Sequence, residues 1–274
     1  MKTLVLANQK GGVGKSAIAT QLAHYSRTIG LRVLVIDLDH QRNTSRPLMA
    51  HADVMTLPVT SGTVLEEDAT VEIRTTDQIV LLAGDDKLTA LEKQAGNHNA
   101  FATRLRNLLK ACDQSFDLCI IDTNPNPDIR YASALISADY ALAPVQLNQE
   151  AIEGIAGLLG HPRFGLSKIK TALNPKLEFL GILPNLVEPT PFQRGNMITL
   201  TEKFGTRLVS EKRAGETRYG FIPKRSAIAE AQAVGQFLPE LKKTAARDAW
   251  NEIQPVFDMV LSRMGFKIAS EALN

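Results

Sequence analysis

The chain has 274 residues, 44% hydrophobic and 22% charged, with a formal net charge of +2. These are globular values, and no apolar run approaches the roughly eighteen residues that a membrane-crossing helix requires. Two cysteines, Cys112 and Cys119, have neither the number nor the spacing of a disulfide framework or metal cluster. So small a net charge does not by itself argue for nucleic acid.

The run Thr3–Ala7 leads straight into a glycine loop without a small-residue cleavage site, so it is predicted to be a first strand and the protein cytoplasmic. A helix is predicted over Lys15–Ile29, with Gly30 as its stop, followed by a strand over Arg32–Asp37. The segment His51–Thr76 lacks clean periodicity and is expected to be irregular or peripheral. Further strands are predicted at Ile79–Ala83, Leu118–Asp122, Tyr140–Val145, Phe179–Leu183 and Tyr219–Ile222, which makes seven in all. Helical stretches such as Ala100–Cys112 and Ala151–Leu159 separate them. Beyond Pro239 a long helical pattern runs through Trp250, Ile253, Val256, Phe257, Val260 and Leu261 and closes near Gly265. Strand and helix in alternation predict one doubly wound α/β domain over residues 1–274, a mostly parallel sheet with helices on both faces.

Between the first strand and first helix lies Lys10-Gly11-Gly12-Val13-Gly14-Lys15-Ser16, followed by Ala17. Glycines let backbone N–H groups converge on phosphate oxygens, the helix N-terminus adds its positive end, and Lys15 can reach the β- and γ-phosphates. Ser16 is then the candidate Mg²⁺ ligand. A glycine turn with two solvated lysines is the plain alternative, and the flanking strand and helix favour the cradle. The general phosphate-loop pattern fails, because its first glycine falls on Gln9. The variant Lys-Gly-Gly-x-Gly-Lys-Ser, with its additional lysine at Lys10, resembles the deviant Walker A motif of the ParA/MinD ATPases. That resemblance implies a P-loop NTPase that binds ATP and Mg²⁺ and forms a homodimer on ATP binding, Lys10 reaching the nucleotide held by the partner. A second cation there offsets charge on the leaving phosphate.

Phosphoryl transfer also needs carboxylates at the C-terminal ends of strands beside the loop. One strand ends Asp37-Leu38-Asp39-His40-Gln41-Arg42-Asn43, which resembles the family's Asp-x-Asp-Pro-Gln-Gly-Asn switch. The resemblance gives Asp39 the task of orienting the attacking water and Asp37 a place among the metal candidates. His40 and Arg42 stand where the family has Pro and Gly, so the loop is expected to differ in shape. His40 invites a general-base role, and a solvent-facing loop histidine is the weightier expectation. The apolar strand ending at Asp122 resembles a Walker B element, with Asp122 holding Mg²⁺ through water; Asn124 replaces the first proline of the family's Asp-x-Pro-Pro.

The likeness continues through Pro144-Val145-Gln146, Ala151-Ile152-Glu153-Gly154-Ile155 and Ile222-Pro223-Lys224-Arg225, and implies that Asn185 and Pro223 flank the adenine. It departs at Pro184-Asn185-Leu186 and at Pro189-Thr190-Pro191, which is expected to be a proline-rich loop. Seven residues precede Asn8, so the chain resembles the short form without an N-terminal DNA-binding extension, and operator-specific repression is not expected of it alone.

Between Arg194 and Arg225 lie Arg194, Lys203, Arg207, Lys212, Arg213, Arg218, Lys224 and Arg225 against three acids, an excess of five positive charges. Charge alone favours a solvated basic face. The resemblance instead implies non-specific, salt-sensitive binding of double-stranded DNA. It further implies a nucleoid-associated partition ATPase stimulated by a ParB-like centromere-binding partner.

Three alternatives stay open at this point. A MinD-like membrane switch needs a basic amphipathic C-terminus, and Phe266–Asn274 carries one Lys and one Glu. A relative of the nitrogenase iron protein needs paired cysteines at a dimer interface, whereas Cys119 falls in a predicted buried strand. The altered switch also permits an ATP-binding module with negligible hydrolysis.

Overall fold

A computed structural model describes residues 1–67, 78–162 and 164–268. In chain order its elements are β1 (Lys2–Leu6), α1 (Lys15–Thr28), β2 (Val33–Asp37), α2 (Ser45–Met49), β3 (Val54–Thr56), α3 (Ser61–Glu66) and β4 (Ile79–Leu82). Next come α4 (His98–Cys112), β5 (Leu118–Asp122), α5 (Ile129–Ser137), β6 (Tyr140–Gln146), α6 (Gln149–Gly160), α7 (Leu166–Ala172), β7 (Glu178–Val187) and α8 (Pro191–Phe204). The last are β8 (Ser210–Arg213), β9 (Glu216–Tyr219), β10 (Ile222–Pro223), α9 (Ser226–Val234) and α10 (Thr244–Arg263).

Eight strands form one sheet in the order β10-β7-β6-β1-β5-β2-β4-β3, and every pairing in it is parallel. A parallel sheet must be covered on both faces, so its strands are apolar throughout, and alternate side chains feed two cores. Val5, Cys119 and Ile121 join Phe101, Leu105, Leu135, Ile155 and Leu200 from α4, α5, α6 and α8 on one face. Leu4, Leu6, Leu118 and Ile120 join Ile18, Leu22, Ala231, Phe257 and Val260 from α1, α9 and α10 on the other. The doubly wound expectation holds. Strand order reverses around β1, whose neighbours are β5 and β6, so the loop after β1 opens at the switch point where such sheets bind ligands.

The register brings the acids together. Asp37 at the end of β2 and Leu6 at the end of β1 both lie opposite Asp122 at the end of β5. Gly30, at φ 88°, closes α1 as expected, its N–H reaching the Arg27 carbonyl at 2.9 Å.

Two expectations are corrected. Tyr219–Ile222 is not one strand: Tyr219 ends β9, which pairs antiparallel with β8 in a separate hairpin, and Ile222 starts β10 beside β7. The hairpin turns through Ala214 and Gly215, both at positive φ, the backbone of a tight two-residue connection. Pro189-Thr190-Pro191 is not simply a loop: Thr190 accepts the Gln193 N–H and Pro191 occupies the first turn of α8, where its missing N–H costs nothing. Within His51–Thr76, β3 is a three-residue edge strand and α3 a short helix, which agrees with peripheral structure; residues 68–76 of that segment lie outside the described residues.

Candidate active site

A cleft of about 490 Å³ opens at the C-terminal ends of the central strands, lined by residues 11–17, by Asp39, His40, Gln41 and Asn43, and by Thr123, Pro125, Asn126 and Gln232. Its floor is the start of α1. Where α5, α6 and α8 begin with a side-chain cap from Asp128, Asn148 and Thr190, α1 begins at Gly14, which has none to offer. The first N–H groups of α1 therefore face the cleft without a capping side chain, an arrangement suited to an anion.

Gly14 has φ 82°, and a Cβ there would overlap Nδ2 of Asn185. That amide donates to the Val13 carbonyl at 2.7 Å, so Asn185 is part of the loop's support. Asn185 lies opposite Ile222 across the β7–β10 pair, which brings it beside Pro223 at the sheet edge. Lys15 is buried, its Nζ donating to the carbonyls of Asn8 at 3.2 Å and Lys10 at 3.3 Å. Burial lowers its pKa, opposed by the negative charge of Asp122 and then Asp39. Lys10 points elsewhere. Its Nζ lies 3.0 Å from Oε2 of Glu150 at the start of α6, in a neighbouring groove lined by Gln9, Val145, Gly154 and Leu158.

Ser16 Oγ donates to Asp122 Oδ2 at 2.6 Å, and Thr44 Oγ1 donates to the same oxygen at 2.7 Å. The other oxygen, Asp122 Oδ1, is buried without a partner. Burial raises the Asp122 pKa against the hydrogen bonds of Ser16 and Thr44. Asp37 is pushed up to about 7, by burial first and by Asp122 second. Its Oδ2 accepts from Ser45 N at 2.9 Å and Ser45 Oγ at 2.6 Å, and its Oδ1 from Asp39 N at 3.0 Å, so Asp37 pins both ends of the switch. An orphaned carboxylate oxygen, a neighbouring serine hydroxyl and two buried acids fit a hard divalent cation at this point.

Asp39 is 6% exposed, and its Oδ1 accepts Gln41 N at 3.0 Å. His40 corrects the solvent-facing expectation. Its side chain is 30% exposed, and its Nδ1 sits 3.4 Å from Asp39 Oδ1 and 3.3 Å from Nη1 of Arg130. Arg42 takes φ 57°, the left-handed conformation that glycine adopts without strain at that place in the motif.

Several contributors escaped the sequence. Thr44 and Ser45 directly follow Asn43, and two hydroxyls after an acidic switch were the available signal. Gly84 follows β4, donates its N–H to Ser45 Oγ at 2.9 Å, and leaves no room for a Cβ against the Asp39 carbonyl. Gln232 on α9 donates to the Asn43 carbonyl at 2.7 Å from across the cleft. Arg130 carried no motif signal.

The basic residues divide by place. Arg194 and Lys203 lie on α8, Arg207 just after it, Lys212, Arg213 and Arg218 on the β8–β9 hairpin, and Lys224 and Arg225 after β10; all eight are exposed. Three are in ion pairs: Arg218 with Glu211 at 3.6 Å, Lys224 with Glu188 at 3.0 Å and Arg225 with Glu252 at 2.5 Å. Cys112 and Cys119 are both free and buried, and burial pushes the Cys112 thiol up to about 11, opposite to what a metal-binding thiolate needs. Among the described residues no helix is long and apolar enough to cross a membrane, and residues 269–274 of the C-terminus lie outside them.

Comparison with known proteins places the chain in a family and matches its fold. The family described as an AAA domain matches residues 1–179. Protein IncC of Escherichia coli is 33% identical over 268 residues, 96% of this chain and 70% of its own length. The chromosome-partitioning ATPase Soj of Thermus thermophilus is 31% identical over 247 residues, 89% of this chain and 90% of its own. Among solved structures, cobyrinic acid a,c-diamide synthase of Mycobacterium smegmatis, bound to an ATP analogue and magnesium, superposes with a TM-score of 0.74 at 25% identity, covering 98% of both chains.

Proposed function

The chain belongs to the ParA family of partition ATPases, and from that premise we propose that it is an ATP-driven DNA-positioning switch acting as one domain. MgATP binds in the cleft above α1, two chains close around two nucleotides, the dimer holds duplex DNA without sequence preference, and hydrolysis, stimulated by a ParB-like partner, releases it. The observation that carries this is the pairing of Ser16 with Asp122 at 2.6 Å while the second Asp122 oxygen stays buried and unpartnered at the mouth of an uncapped helix. Phosphates would lie on the N–H groups of residues 11–17, with Lys15 leaving the Asn8 and Lys10 carbonyls to meet them. Ser16 and Asp122 would hold Mg²⁺, which would neutralise charge on the phosphates, and Asp37 would brace the switch beside it. Asp39 would orient the water.

Lys10 supports the shared site. Its side chain faces away from its own cleft toward an exposed acid, a contact of the kind worth at most about 1 kcal/mol and readily exchanged for a partner's phosphate. Asn185, which lies opposite Ile222 across β7 and β10, and Pro223, the next residue of β10, would border the base. Work would be done in the cytoplasm, on the nucleoid. Duplex retention measured with ATP, with ADP and without nucleotide tests the switch: retention with ATP alone is expected, and equal retention in all three sinks it.

A further inference from the structure

Two of the positions where this nucleotide site departs from its family's pattern, His40 in the switch and Asn124 after β5, are the two ends of one hydrogen-bonded chain. Asn124 Nδ2 donates to Asp128 Oδ2 at 2.8 Å. The same oxygen accepts from Arg130 Nε at 3.0 Å and Nη2 at 2.5 Å. The remaining nitrogen, Arg130 Nη1, reaches His40 Nδ1 at 3.3 Å, and that ring atom lies 3.4 Å from Asp39 Oδ1. Asn124, Asp128 and Arg130 are all buried, and Asp128 also caps the helix that carries Arg130. Proline at either end would supply no side-chain hydrogen bond and would leave the chain open.

The chemistry at His40 decides what the chain does. A guanidinium only donates, so Arg130 requires a bare Nδ1 and places the imidazole proton on Nε2. His40 Nε2 lies 2.7 Å from Gln41 Nε2, and turning that amide over, an orientation assigned from the network, brings its oxygen to the Nε2 proton as acceptor. With Nδ1 bare, His40 cannot donate to Asp39, whose carboxylate stays free to accept from a water. With Nδ1 protonated, His40 would clamp Asp39 Oδ1 and withhold it.

We propose that Arg130 is a positioning residue for hydrolysis, fixing the His40 tautomer that leaves Asp39 available to the attacking water. The proposal rests on the ATPase function set out above.

The test is steady-state ATP turnover, with duplex DNA present, for wild type, Arg130→Gln, His40→Ala and the double variant, each checked by thermal unfolding. Arg130→Gln is expected to lower kcat by about tenfold or more while KM for ATP stays within about twofold. Adding His40→Ala should restore kcat toward wild type, because the clamp is gone; loss of a merely structural contact would leave the double variant as slow as the single or slower, and that result overturns the proposal. Nitrogen-15 NMR of His40 in the wild-type protein reads the tautomer without turnover and without any variant having to fold. A proton on Nε2 is expected; a proton on Nδ1 contradicts the proposal. Wild-type protein without Asp39-dependent turnover would count against the ATPase function instead, and the tautomer measurement would still decide whether the His40 proton sits where Arg130 requires it.

Discussion

Ser16 and Asp122 meet across the mouth of the cleft, hydroxyl to carboxylate at 2.6 Å, and the other oxygen of that carboxylate is buried without a protein partner. An Mg²⁺ ion at this place would take the Ser16 lone pair while Ser16 still donates to Asp122, so the hydrogen bond becomes the orienting contact of a metal ligand. Ser16→Ala is expected to lower the affinity for ATP on the order of tenfold or more in magnesium and to change it little in a chelator. Isothermal titration in both buffers checks this. An equal loss with and without magnesium would mean that the hydroxyl serves the fold alone.

The buried acids give a pH dependence whose sign can be worked out. Asp37 is pushed up to about 7 from an ordinary value of 3.8, and burial raises Asp122 as well. Where the folded pKa lies above the unfolded one, the native state keeps protons that the unfolded chain has released. The contribution to stability is therefore fully present below about pH 4 and is lost as pH rises toward about 7. Magnesium competes with those protons, so its stabilising effect should grow across the same window. Thermal unfolding midpoints from about pH 5 to about pH 8, with magnesium and with chelator, measure both slopes; a magnesium shift independent of pH would contradict this account of the pair.

Much of this site was legible because its signals are local. The loop from Lys10 to Ser16 needs its glycines, lysine and hydroxyl consecutively between a strand and a helix, and β5 is an apolar run with an acid at its end, matching its predicted bounds of Leu118–Asp122. What stayed hidden depends on partners distant in the chain. Arg130 becomes intelligible only once α5 sets it beside a residue 90 positions earlier. The β8–β9 hairpin is polar, exposed and short, so it shows no apolar alternation, and its turn is marked by only one glycine. Helix α8 buries little beyond Asn196 and Leu200, and it therefore lacks the apolar stripe that reveals a helix.

The structure also sorts the basic residues. Arg225 is held at two points by Glu252 and Lys224 by Glu188, so part of their charge is already answered within the chain. Lys212 and Arg213, near the hairpin turn, have no ion pair among the described residues. Replacing both with alanine should weaken duplex binding and reduce the slope of log K against log salt by about two, whereas Arg225→Ala should change that slope by less than one. Binding isotherms at several salt concentrations measure it. The reverse order would move the DNA face from the hairpin to the end of β10.

In the proposed dimer the loop at residues 10–16 is half of a shared site, with Lys15 serving its own nucleotide and Lys10 the partner's. The most direct measurement compares Lys10→Ala with wild type for ATP binding, ATP-induced dimerisation by light scattering, and turnover. Lys10→Ala is expected to bind ATP within about threefold of wild type yet neither to dimerise on ATP nor to turn it over at a comparable rate. ATP-induced dimerisation and hydrolysis both left intact would contradict it.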